Sequence, residues 1–171
     1  MASQIRQNFN YKTENFIIKQ INMLINSAYT FLSMSTYFDR YDVALLGLSQ
    51  FFKKFSSQDL EQAESLIKYT NKRGGSVLLD DIKLHDIDWT NALEVLEIAL
   101  GIVKKLNKSL LDLHQLASSC NDPHLTSFLE SNLLNKKVEL MRVLGVFITK
   151  FKRDGPTGLA EYLLDQDIQM V

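Results

Sequence analysis

Two polar residues stand where a helix should carry hydrocarbon. Leu48, Phe52, Phe55, Asp59, Gln62 and Leu66 follow one another at spacings of 4, 3, 4, 3 and 4, the period of one face of an α-helix. That face turns Asp59 and Gln62 inward among apolar neighbours. An acid and a histidine three residues apart on one helix can hold metal inside a helical bundle, but here the second residue is an amide. Lys137 has the same standing on another stripe, Leu133, Lys137, Leu140, Leu144, Phe147 and Phe151. Each charge would be costly to bury alone, so Asp59 and Lys137 are expected to form a buried ion pair with Gln62 hydrogen-bonded beside them. The histidines add little: His85, His114 and His124 include no pair at ligand spacing on one helix. His114, on the stripe of a third helix, reads as a satisfied core residue. No glycine-rich phosphate loop, Ser/His/Asp arrangement or basic patch interleaved with aromatics is found.

These residues need long helices to position them. Two prolines, Pro123 and Pro156, interrupt 171 residues, and little β-branched alternation competes with helix. Thr13 and Glu14 predict the start of a helix that runs to about Phe38, with Ile17, Ile21, Leu24, Ala28, Phe31 and Phe38 on one stripe and Ser35 as its polar exception. Asp39–Asp42 is a short polar break, so a second helix, from about Val43 to Lys72, should fold back antiparallel. Gly74 and Gly75 can end it in left-handed geometry. The segment from Ser76 to about Asp88 lacks a helical period and reads as a long crossover, or less readily an edge strand. A third helix is expected from about Thr90 to Ser119. A fourth, capped by Asp122 with Pro123 in its first turn, should run to about Arg153. A short fifth helix, Gly158–Asp165, is too rich in leucine to stand alone and implies an oligomer contact.

Composition sets bounds rather than a function. Nineteen basic against 20 acidic residues leave a net charge of −1, which points to neither nucleic acid nor an anionic membrane. The single cysteine, Cys120, excludes an internal disulfide and fits a reducing compartment. The first residues show no apolar leader, and no later run is long enough to span a bilayer. A soluble, cytoplasmic, all-α protein with a single domain over residues 1–171 is the expectation.

Particular segments carry a resemblance from Ser3 to about Asp165. Among them are Leu32-Ser33-Met34-Ser35, Tyr37-Phe38-Asp39-Arg40, Asn71-Lys72-Arg73-Gly74-Gly75, Asn107-Lys108-Ser109-Leu110-Leu111, Asn121-Asp122-Pro123-His124-Leu125 and Gly158-Leu159-Ala160-Glu161-Tyr162-Leu163. In these the chain resembles the ferritin family, specifically animal cytosolic ferritin of the heavy-chain type. The resemblance implies a ferritin-like four-helix bundle with a long crossover between helices 2 and 3 and a short fifth helix. It also implies assembly into a 24-subunit shell, alone or mixed with other ferritin subunits, that stores iron as cargo.

Residue by residue, the resemblance places Leu24, Phe31, Asp59, Gln62, Val103 and Lys137 at the positions that form the ferroxidase centre in ferritins that oxidise iron. Asp59 alone among them is an anionic ligand. A lost centre is therefore expected, with no tightly bound di-iron pair inside the bundle and no enzyme activity, as in degenerate heavy-chain-like paralogues. The competing expectations are an iron-independent cage scaffold and a weak ferroxidase built from other carboxylates, with Asp59, Glu61, Glu64 and Glu130 as its candidates. The threefold channel would be lined by Ser127 and Glu130. The fourfold axis would be lined by Leu159 and Leu163, with Asp167 following on the same face.

Overall fold

A computed structural model describes residues 3–83, 88–155 and 157–169. The described residues form helices joined by turns and one extended crossover, with no strand among them. Helix α1 spans Tyr11–Asp39, α2 Leu46–Lys72 and α3 Ala92–Ser119. The fourth rod is composite: α4, Pro123–Leu129, passes through a π-helical turn, Glu130–Leu134, into α5, Asn135–Asp154. Helix α6, Gly158–Gln169, closes the order and runs one turn beyond its predicted end at Asp165.

The first helix starts two residues ahead of the predicted cap. Asn10 accepts from Lys12 N and caps it, while Thr13 is buried inside the helix with its hydroxyl against Cys120 Sγ at 3.8 Å. Asn91 caps α3 through Glu94 N, and Asp122 caps α4 through Leu125 N. Gly74 ends α2 at φ 78°, a conformation that favours glycine.

Helix α2 has no side-chain cap of its own. Its third amide, Leu48 N, instead donates to Asp165 Oδ1 of α6 at 2.8 Å, so the last helix supplies the anion that the N-terminus of α2 calls for. Gly47 makes that approach possible, because a Cβ there would collide with the Asp165 carbonyl oxygen. Half of α6 is thus sheltered through Ala160, Leu164, Asp165 and Ile168, while Leu159, Tyr162 and Leu163 remain exposed.

The crossover is tied along α1. Ser76 N donates to Glu14 Oε1, Asp80 N to Asn22 Oδ1, and Lys83 N to Asn26 Oδ1, at 2.8, 3.1 and 3.1 Å. Glu14, Asn22 and Asn26 share a row of the helix, so their side chains stand in for the strand partner that a lone extended segment would need.

Inside, hydrocarbon is divided into two clusters. One contains Phe31, Phe38, Phe52, Leu96, Val103, Leu140 and Phe147, with Phe38 and Phe52 stacked at 5.8 Å. The other contains Ile17, Leu24, Leu66, Leu106, Leu113, Leu129 and Leu133. Each such side chain contributes roughly 1.5 to 3 kcal/mol when fully buried. Asp59 and Lys137 sit where the two clusters meet, flanked along their helices by Phe52 and Leu140 of the first and by Ala63 and Leu133 of the second.

Candidate functional site

Three helices contribute to the polar group at the bundle centre. Asp59 enters from α2, Lys137 from α5 and Ser27 from α1. Lys137 Nζ donates to Asp59 Oδ1 at 2.5 Å, with the two side chains 2% and 1% exposed respectively. The Ser27 hydroxyl donates to Asp59 Oδ2 at 2.6 Å. Both carboxylate oxygens are therefore engaged, one by a charge and one by a dipole, in a setting where a charge stripped of its partner is strongly disfavoured. A cation approaching Asp59 would meet the lysine ammonium standing where the cation would bind.

Sequence spacing brings Asp59 and Lys137 together correctly, but Gln62 does not complete the group as expected. It is buried one turn further along α2, and its Oε1 has no hydrogen-bond partner among the described residues. The hydrogen bonds to Asp59 come instead from Lys137 and Ser27. Ser27 was not singled out from the sequence, although its place three residues after Leu24 and four before Phe31 puts it on the inward side of α1. Leu24, Phe31 and Val103 lie in the core clusters around the pair.

The other singled-out residues lie outside this centre. Ser127 and Glu130 are exposed near the start of the fourth rod. His114 is not the core residue expected. Leu110, Leu113 and Ala117 take the inward direction of α3, leaving His114 half-buried with Nε2 against Glu130 Oε1 at 2.6 Å. Asp167 is held by Lys150 of α5 at 2.7 Å. Glu61 and Glu64 are exposed on α2, the latter 3.9 Å from Lys68. Asp59, Glu61, Glu64 and Glu130 thus do not converge, and among the described residues no three of His, Cys, Asp and Glu gather to hold a metal ion. His124 Nδ1 lies 3.1 Å from the Tyr69 hydroxyl, and His85 lies outside the described residues.

Near the far end of α2, Arg73 joins α2 to the chain entering α4. It donates to Asp122 Oδ1 and Oδ2 at 3.1 and 3.0 Å, to Asn8 O at 2.8 Å and to the Tyr69 hydroxyl. Burial pushes the Tyr69 hydroxyl up from 10.0 to about 12, against the opposing pull of the Arg73 charge.

Comparison with known proteins fits this arrangement of helices. A family model described as a ferritin-like domain matches residues 14–154. The chain belongs to the ferritin family. It is 47% identical over 167 residues to soma ferritin of Lymnaea stagnalis, covering 97% of this chain and 95% of that one. It is 45% identical over 169 residues to the middle subunit of ferritin from Aquarana catesbeiana, covering 97% and 96%. These similarities overturn the expectation that the chain is not an enzyme. Close kinship with named ferritins over nearly the whole length leaves that expectation without support, and no feature among the described residues shows activity to be lacking. Among the described residues, no helix is long and apolar enough to cross a membrane.

Proposed function

We propose that this chain is a subunit of a cytoplasmic 24-subunit ferritin shell, built as one domain and co-assembling with other ferritin subunits in iron storage. At the centre of its bundle the Asp59–Lys137 ion pair takes the place of bound iron. Iron is cargo and substrate of the shell, and its oxidation belongs to the shell of which this chain is a part. The observation that carries the proposal is the 2.5 Å contact between Lys137 Nζ and Asp59 Oδ1, sealed from solvent and braced by Ser27.

The remaining surfaces fit assembly. Leu159 and Leu163 present a half-exposed apolar edge of α6 suited to meeting symmetry copies around a fourfold axis. Ser127 and Glu130 would line the threefold passage, where the ring of Glu130 carboxylates attracts cations.

The test is co-expression with an iron-oxidising animal ferritin subunit, followed by native mass spectrometry and iron loading. Mixed 24-subunit shells that fill with ferric mineral are expected. Two separate homopolymers would overturn co-assembly. Mixed shells that take up no iron would instead indicate a scaffold.

A further inference from the structure

Beneath the ion pair the helices bring together a second polar layer. Helices α2 and α3 run toward the end of the bundle where α1 and α4 begin, so one turn in that direction from each central residue can be read directly. From Leu24 it is Gln20, from Asp59 it is Gln62, from Val103 it is Asn107 and from Lys137 it is Leu133. Three amides and one leucine therefore share a level of the bundle, with Asn107 half-buried. Gln20 is wholly buried, and Gln62 nearly so.

Among the described residues, the same three amides account for four of the six buried side-chain polar atoms without a hydrogen-bond partner: Gln20 Nε2, Gln20 Oε1, Gln62 Oε1 and Asn107 Oδ1. The other two are elsewhere. Arg6 Nε belongs to the segment before α1, and Ser109 lies about 200° around α3 from Asn107 at 100° per residue. Lys137 Nζ has three hydrogens to donate, with Asp59 Oδ1 its one acceptor among the described residues. Unmet donors and acceptors are thus concentrated at this level and the one above it. Buried polar atoms rarely remain unpaired, and ordered water is a usual partner for those that protein groups leave unmet.

We infer that Gln20, Gln62 and Asn107 form an internal binding site for ordered water between the ion pair and the lower apolar cluster. Water donates there to the three amide oxygens and accepts from Gln20 Nε2 and from Lys137 Nζ. The amides' mix of donors and acceptors suits this ligand. A metal cation would find three neutral oxygens with the Lys137 charge one turn away, and an anion would meet those same three oxygens. Only the bond to Lys137 rests on the proposed function; the amide layer stands without it.

The test uses the assembled particle. A high-resolution crystal structure should show solvent density within hydrogen-bonding distance of Gln62 Oε1 and of Gln20 or Asn107. Water-oxygen magnetic relaxation should show at least one fewer long-lived internal water per subunit in Gln62→Met than in the parent. A layer without solvent density, its amides bonded to protein, would overturn the site, as would an unchanged water count in a folded Gln62→Met particle. If that variant does not fold, density in the parent still decides. Water present with Lys137 turned away from Asp59 would spare this site while sinking the ion pair.

Discussion

Lys137 is an ammonium inside hydrocarbon, and its partner fixes what removal costs. Lys137→Ala should destabilise the subunit by about 3 to 5 kcal/mol, because Asp59 would be left buried and unpaired. Joint replacement by Asp59→Leu and Lys137→Met should come close to neutral; denaturant unfolding of the parent, both single variants and the pair measures the coupling. Ser27→Ala removes a hydrogen bond to a charged acceptor and should cost about 1.5 to 3 kcal/mol. Tyr69 gives a prediction in pH. Its folded-state value of about 12 lies above the ordinary 10.0, so the folded protein holds this proton more tightly than the unfolded chain does. That stabilisation is fully present below pH 10 and is lost as pH rises toward about 12, and Tyr69→Phe should flatten the loss in alkaline unfolding curves. At this scale the sequence revealed Asp59 and Lys137, because a charge on an apolar stripe stands out. It did not settle the role of Gln62, because periodicity gives the face of a side chain and not the partner it bonds.

Helices were legible to within a few residues, because their apolar stripes repeat over many turns. Harder to read were the contacts that fix one element to another. Nothing near Leu46 signals that the cap of α2 comes from Asp165, 117 residues beyond Leu48, since local signals do not report distant partners. Asp165→Ala should remove that cap at about 1 to 2 kcal/mol and loosen α6, seen as faster amide exchange across residues 158–169. Gly47→Ala should loosen the same helix by collision while leaving the carboxylate in place. Likewise, the crossover lacked a period because its order is borrowed from Glu14, Asn22 and Asn26 of α1.

The whole molecule joins a ferritin bundle, kept from α1 to α6, to a centre built from an aspartate, a lysine and a serine. Family kinship was readable in motif segments dispersed along the chain, and the comparisons bear it out. The inference from Leu24, Phe31, Asp59, Gln62, Val103 and Lys137 that the chain is no enzyme went too far, because a residue set at one site does not decide the activity of a shell. The proposal for the centre concerns whether iron binds at its level. The most direct measurement is anomalous diffraction from crystals of the assembled protein soaked in Fe²⁺ without oxygen. The expected result is an intact Lys137–Asp59 contact with no iron peak between the helices at that level. Iron bound to Asp59, with the Lys137 side chain displaced, would contradict it.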